Sequence, residues 1–432
     1  MASTQHQPGL RVALYSHDSV GLGHTRRNLA IAHALNEALP GATGRRVSGL
    51  LMTGERTATG YPTPEGWDWV LMPGIHKRDG RYAPRTLNVG MDRLMDVRSS
   101  VVDGVLQSFR PHVVVVDRHA FGVDGELSAP LSNLRRDNPG CRLVLGLREV
   151  LDDPATASAE WARVGVERVC DTFDEVWVYG DEGIHDPVAA GEVPRALAGR
   201  IRYTGYLSAG RHCSEPADAV DRPYVLTMAG GGSDGYGLTA AAAAAAVPDG
   251  HRHLVVTGPQ MPRAQREKVR AAAAPGTRVV ASVPDGLSYI RSAAAVVVMG
   301  GYNTVCEVLG SATPALVVPR IAPRTEQLIR ARSLERRGAV RLLPPDVVDA
   351  ESIGGWFADA VPAGRSESDR GLQREAPERH EARAQSEARG TIRLDGLTAI
   401  ARHAVRLVAA ATPLPAPDDS GTTREELAHV AV

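Results

Sequence analysis

Cysteine is scarce and scattered. Cys141, Cys170, Cys213 and Cys306 include no Cys-x-x-Cys pair, which argues against a disulfide framework or a cysteine-based zinc site and fits a reducing compartment. Aromatic residues are sparse at 4%, so platforms for stacking nucleic-acid bases are few. Neither sign of charge is in excess. Lys and Arg number 49 against 50 Asp and Glu, a net charge of -1, and the basic footprint that binds phosphate backbones is missing. Long apolar runs are lacking too: none approaches the roughly 18 residues of a membrane span. The opening MASTQHQPGLRV has no apolar stretch of a signal peptide. These absences predict a soluble, cytoplasmic protein that binds no nucleic acid. They leave open a peripheral membrane contact, because a linear sequence does not display surface patches.

What is present is apolar residue enough for two cores, 43% of 432. The most informative stretch is 293–331, AAAVVVMGGYNTVCEVLGSATPALVVPRIAPRTEQLIRA. Its β-branched start, closed by Gly300 and Gly301, reads as a buried strand ending in a tight turn, with a helix just after it. Asn303 or Thr304 is placed to cap that helix, Thr304 and Glu307 have capping-box spacing, and Gly310 ends it. Residues 315–318 form a second strand, and Thr325, Glu326 and Gln327 begin another helix. Two such crossings set two helix N-termini at the carboxyl edge of a parallel sheet, where open α/β sheets bind ligands. Unpaired amides, the helix dipole and glycine suit phosphate there, so a nucleotide diphosphate is the natural guest. Glu307 either accepts from ribose hydroxyls or closes the capping box. Glu326 and Gln327 either meet ligand or are ordinary first-turn residues.

The first half repeats the arrangement. A strand at 12–15 leads into HDSVGLGHTRRN and then a helical period at Leu29, Ile31, Ala32 and Leu35. His24 follows Gly21-Leu22-Gly23 at the helix start. Arg26 and Arg27 lie in the first turn, where cations oppose the helix dipole, and that placement points to an anionic neighbour. Further strands at 49–52, 67–72, 112–116, 142–147, 175–179 and 201–203 predict an α/β doubly wound parallel sheet. Polar clusters follow several of them: Asp117-Arg118-His119, Arg148-Glu149 with Asp152-Asp153, and Asp181-Glu182. They fit either a cleft or ordinary polar loops. Segment 73–86 reads as a long loop, closing over an acceptor or lying on the surface.

A polar linker at 210–222 precedes a second sheet with strands at 224–228, 253–257, 278–281, 294–299, 315–318 and 340–342. Gly230-Gly231-Gly232-Ser233 is a third glycine-rich strand-to-helix turn, suited to bare amides against phosphate, and it is not a P-loop. His251 with His253, and Asp152 with Asp153, lack the company of a metal site, so none is expected. Two domains follow, 1–215 and 216–390. Within the second, 364–390 is crowded with charge and reads as a solvated or disordered insert. Within 391–411, Leu397, Ile400, Ala401, Ala404, Val405 and Val408 mark one face of a helix docking back on the first domain. Residues 412–432 read as a loose tail.

In these motifs the chain resembles the GT-B glycosyltransferases. Within them it is most similar to predicted bacterial glycosyltransferases related to the family 28 enzyme that adds N-acetylglucosamine to the lipid precursor of peptidoglycan. The resemblance covers residues 10–345 and the helix at 397–408, and rests on GLGHTRRN, GLREVLDDP, YTGYL, AGGGSDG and GGYNTVCEVLGSATPALVVPR with EQLIRA. It implies two Rossmann-like domains facing a central cleft. It implies transfer of a sugar from a nucleotide-diphosphate sugar, UDP-linked, to a hydroxyl acceptor, inverting, metal-independent and without a cofactor beyond the donor. Carried over by position, Gly231, Gly232 and Ser233 face the donor diphosphate, with Gly300, Gly301, Asn303 and Thr304 on the same side. Glu307 holds the ribose, and Glu326 with Gln327 contacts the donor sugar. His24 is the candidate base, with Gly23, Arg26, Arg27, Arg148 and Glu149 on the acceptor side of the cleft. The peptidoglycan enzyme has Gln-Gln where this chain has Glu326 and Gln327, so the donor sugar does not carry over. The acceptor (small molecule, natural product or glycolipid) and the oligomeric state stay undetermined. Abundant alanine and arginine suggest a GC-rich bacterial genome. A nucleotide-sugar epimerase or hydrolase on the same fold, or a non-catalytic nucleotide-sugar-binding protein, would satisfy the same residues.

Overall fold

The computed structural model describes residues 9–17, 22–78, 81–211, 213, 223–361 and 380–409. Its first part comprises β1 (Leu10–Tyr15), α1 (Gly23–Thr43), β2 (Val47–Thr53), β3 (Trp67–Leu71), β4 (Ile75–Arg78), β5 (Arg81–Pro84), α2 (Met91–Phe109), β6 (Val113–Asp117), α3 (Ser128–Asp137), β7 (Arg142–Arg148), α4 (Pro154–Val164), α5 (Val166–Thr172), β8 (Glu175–Tyr179) and β9 (Ile201–Tyr203). The second comprises β10 (Tyr224–Met228), α6 (Tyr236–Ala244), β11 (Arg252–Val256), α7 (Arg263–Ala271), β12 (Thr277–Val280), α8 (Gly286–Ser292), β13 (Ala295–Val298), α9 (Tyr302–Leu309), β14 (Ala315–Val317), α10 (Glu326–Arg336), β15 (Arg341–Leu342), α11 (Ala350–Ala360), α12 (His380–Gly390) and α13 (Gly396–Ala409).

Two parallel sheets result, ordered β3-β2-β1-β6-β7-β8-β9 and β12-β11-β10-β13-β14-β15. Each starts in the middle and reverses direction, so each has a switch point, between β1 and β6 and between β10 and β13. The strands are apolar at nearly every position because both faces are covered. In β1, Leu10, Val12 and Leu14 enter one core while Ala13 and Tyr15 enter another. In β13, Val296 and Val298 face the first of these cores while Ala295 and Val297 face a third. The shared core runs from Ile31 and Leu35 of α1 through Tyr206 to Tyr302 and Val305 of α9 and Ile400 of α13. It ties both sheets together behind the cleft.

Three local expectations are corrected. Helix α9 begins at Tyr302, with Gly301 as the flanking residue and no side-chain cap. Asn303 and Thr304 therefore lie inside the first turn, two and three positions past the cap, and no capping box joins Thr304 to Glu307. Segment 73–86 is a hairpin, with β4 antiparallel to β5. Ile75 anchors it against Leu94 and Val123, and Arg85 donates to the carbonyls of Gly54 and Ile75. Within 364–390, residues 364–379 fall outside the description, but 380–390 form α12. There Gln385 accepts from the Ala315 N–H at 2.9 Å, and buried Arg389 donates to the carbonyls of Ala339, Ser311 and Thr313. The charged composition hid this anchoring because the buried side chains satisfy backbone groups rather than fill an apolar core.

After α12 the chain returns to the first sheet. Asp181 accepts from the Arg393 N–H at 2.8 Å and Tyr206 N–H donates to the Arg393 carbonyl at 2.8 Å, and α13 then packs on α1. The tail at 412–432 lies outside the described residues. Among the described residues no helix is long and apolar enough to cross a membrane.

Candidate functional site

The carboxyl ends of both sheets border one cleft of about 370 Å³, within the ~300–1,000 Å³ usual for ligand pockets. On one wall lie Gly23, His24, Arg26 and Arg27, entering α1, and Arg148 at the end of β7. On the other lie Gly230 and Gly231 after β10, Gln260 after β11, residues 281–284 after β12, residues 301–304 and Glu307 after β13, and Arg320, Glu326 and Gln327 after β14. The helices α1, α9 and α10 all start here without a side-chain cap. Their first N–H groups are therefore left for a ligand, with the positive ends of three dipoles directed at the same space.

The histidine side is organised by Asp117 at the end of β6. His24 Nδ1 lies 2.9 Å from Asp117 Oδ2, and Arg27 donates to that oxygen at 2.6 Å. Burial pushes the Asp117 carboxyl up, but Arg27, then His24, outweigh it and hold its pKa at about 2. In the tautomer whose Nδ1–H donates to ionised Asp117, Nε2 of the neutral ring is the proton acceptor; Arg27 Nη2 lies 2.9 Å from the same Nδ1. Burial, ahead of the opposing Asp117, lowers the His24 pKa, so the ring is neutral at pH 7. Arg27 is almost wholly enclosed, its guanidinium 5.4 Å from the Tyr302 ring and 5.7 Å from the Tyr179 ring. His17 lies 5.5 Å from the His24 ring and 4.4 Å from the His119 ring, an imidazole cluster beside His24 but off the cavity lining.

Salt bridges cross the cleft. Arg26 donates to Glu307 at 2.8 Å, and Asn303 Nδ2 donates to the Gly23 carbonyl at 2.8 Å. Deeper, Arg330 of α10 donates to both oxygens of Glu149, at 2.6 and 3.2 Å, and to the Gly300 carbonyl at 3.1 Å. Asp152 accepts from the Thr325 N–H at 2.9 Å, while Asp153 caps α4. Arg320 pairs with Glu326, and its N–H donates to Gln327 Oε1 at 3.1 Å.

No family model matches the chain. Two curated proteins, each described as an uncharacterized glycosyltransferase, are 26% identical to it: one from Methanosarcina mazei over 156 residues and one from Methanosarcina acetivorans over 157. The matches take in 34% and 35% of this chain and 39% and 40% of theirs, so the chain spans about two-fifths of the length of the curated relatives it matches. Among solved structures it is similar to a glycotransferase of kitacinnamycin (17% identity, 94% of this chain and 100% of the other, TM-score 0.58). It is also similar to the glycosyltransferase VinC in complex with dTDP (15%, 93% and 100%, TM-score 0.56) and to MurG of Acinetobacter baumannii (14%, 93% and 99%, TM-score 0.54). The fold is GT-B.

Of the sequence candidates, Gly23, His24, Arg26, Arg27, Arg148, Gly231, Gly301, Asn303, Thr304, Glu307, Glu326 and Gln327 line the GT-B cleft. The others do not. Glu149 is buried beneath it, on Arg330. Gly232 is a packing residue: its φ is +90°, and a Cβ there would stand 2.2 Å from the Thr257 carbonyl oxygen. Gly300, at φ +86°, would likewise press on Val317 at 2.9 Å. Ser233 is exposed and off the cavity wall. The anionic neighbours foreseen for Arg26 and Arg27 are protein carboxylates, Glu307 and Asp117. Asp181 holds the returning chain rather than lining the cleft. Arg320 and Tyr302 were missed, although Arg320 follows a strand end and was open to the same argument as Arg148.

Proposed function

We propose that the protein is a cytoplasmic glycosyltransferase, of bacterial origin and allied to family 28. In this reading it moves a sugar from a nucleotide-diphosphate sugar, UDP-linked or a close pyrimidine relative, to a hydroxyl of a small-molecule, natural-product or glycolipid acceptor. The observation that carries the reading is the pairing of a neutral His24, oriented by ionised Asp117, with three uncapped helix N-termini across one GT-B cleft. Nucleotide-bearing neighbours such as VinC support it.

The acceptor hydroxyl attacks the anomeric carbon, the bond to the diphosphate oxygen breaks, and His24 Nε2 takes the hydroxyl proton. Direct displacement from the far side inverts the anomeric centre. Negative charge grows on the departing diphosphate, and fixed N–H dipoles at α9 and around Gly231 meet it without a metal. Glu307 grips the ribose hydroxyls once Arg26 releases it, and Glu326 and Gln327 hold the sugar.

Calorimetry with UDP, dTDP, GDP and ADP tests the reading. Binding of at least one, weakened about tenfold or more in Glu307→Ala, is the expected result. No binding by the wild type, or undiminished binding in the variant, refutes the site. Free sugar released without any acceptor would mark a hydrolase instead.

A further inference from the structure

Along the cleft, each arginine but one has its carboxylate. Arg26 has Glu307, Arg27 has Asp117, Arg320 has Glu326 and Asp234, and buried Arg330 has Glu149. Arg148 is the exception. Its guanidinium forms no hydrogen bond or ion pair with any described residue, and its Nε is shut off from solvent without a partner. Burial first, then the Arg330 guanidinium, pulls the Arg148 pKa down to about 9, with Arg27 and Arg118 adding to this and Glu326 opposing. Glu326 acts on Arg148 only at a distance: Arg320 engages its Oε1, and its Oε2 makes no hydrogen bond with Arg148.

Arg148 is half-buried, with Nε closed off and the rest of its guanidinium open to the cleft; set among like charges it keeps its proton at neutral pH, and an anion entering the cleft relieves the repulsion. That repulsion is borne in a cavity wall, within the field of His24. Arg148 lines the same cavity as His24, Glu326 and Gln327.

We propose that Arg148 is the receptor for an oxyanion brought into the cleft by the substrate, either the donor's diphosphate or a carboxylate on the transferred sugar. The assignment rests on the glycosyltransferase reading for the ligand's class, but on the unmatched charge for its chemistry. A planar fork of donors suits either group bidentately. If the source is the sugar, Arg148 sets a preference for uronic-acid donors over neutral hexoses.

The test uses the full chain as wild type, Arg148→Gln and Arg148→Lys, each first shown to melt cooperatively. Calorimetry is run with UDP, dTDP, inorganic pyrophosphate, and a UDP-hexuronate against the matching neutral UDP-hexose. Nucleoside diphosphate and pyrophosphate binding weakened about tenfold or more in Arg148→Gln, and partly restored in Arg148→Lys, identifies the diphosphate as the source. Unchanged diphosphate binding, with a hexuronate preference that Arg148→Gln abolishes, identifies the sugar carboxylate. Affinities within twofold of wild type for all five ligands overturn the proposal and leave the glycosyltransferase reading standing. If no ligand, pyrophosphate included, binds the wild type, both are overturned.

Discussion

Arg26 and Glu307 stand on opposite domains, and Arg26 Nη2 donates to Glu307 Oε1 at 2.8 Å across the cleft. Arg211 lies 3.7 Å from the same oxygen. The carboxylate proposed to hold ribose is thus already occupied, and a donor nucleotide must displace Arg26 to reach it.

Exchange at Glu307 predicts a separation of binding from folding. Arg26 is about one-third exposed while Glu307 is buried, so replacing Glu307 by Gln removes the buried charge and leaves the cation facing solvent, at little cost in stability. Glu307→Gln should retain a near-wild-type melting temperature while nucleoside diphosphate affinity falls several-fold. A variant that unfolds, or one that binds normally, contradicts the exchange.

His24→Ala should slow transfer by about 10²- to 10⁴-fold, the usual contribution of a positioned base, with donor affinity intact. In the wild type the rate should be flat near neutrality and fall on the acid side, below the ordinary imidazole value of about 6.5, because the His24 pKa is depressed. Release of nucleoside diphosphate in the presence of acceptor measures both. An acid limb that survives in His24→Ala would assign the base elsewhere.

Glu149→Ala strips the counter-ion from Arg330, which is fully buried beside it. Removing one partner of such a pair costs about 3–5 kcal/mol. Denaturant unfolding should show that loss, and Arg330→Met added to Glu149→Ala should cost less than the two single changes summed. Strict additivity would mean that the pair is not coupled.

Acid should destabilise the fold through its buried imidazoles. Burial lowers the pKa of His17, His24 and His119, and takes His112 and His253 to about 4. The unfolded chain protonates these rings near pH 6.5 while the folded one does not, so stability is full above about 6.5 and drops as pH falls toward 4. His253, enclosed against Phe357 and Thr227, contributes about 3 kcal/mol of that drop. The melting temperature should decline over this window, less steeply in His253→Gln. A flat profile in the wild type would refute the assignment.

Strand and helix placement was largely legible. Buried parallel strands are unbroken apolar runs, and glycines mark where each turns into a helix, so β10, β13 and the starts of α1 and α10 stand close to where the pattern put them. The hairpin of β4 and β5 was hidden by charged residues whose backbone pairing has no apolar signature. Likewise α12 conceals its attachment in Gln385 and Arg389.

By itself, then, the order of residues determined two glycine-edged parallel sheets and the set of polar side chains delivered to their carboxyl rims, because both follow from backbone periodicity over a few residues. Only the tertiary structure decided which charge meets which. His24 finds Asp117 at a separation of 93 residues, Arg330 finds Glu149 at 181, and Arg26 finds Glu307 at 281. Over such distances no local period links the partners. Packing chooses them, within the first sheet for His24 and Asp117 and between the two sheets for the other pairs, and among the described residues it leaves Arg148 without one.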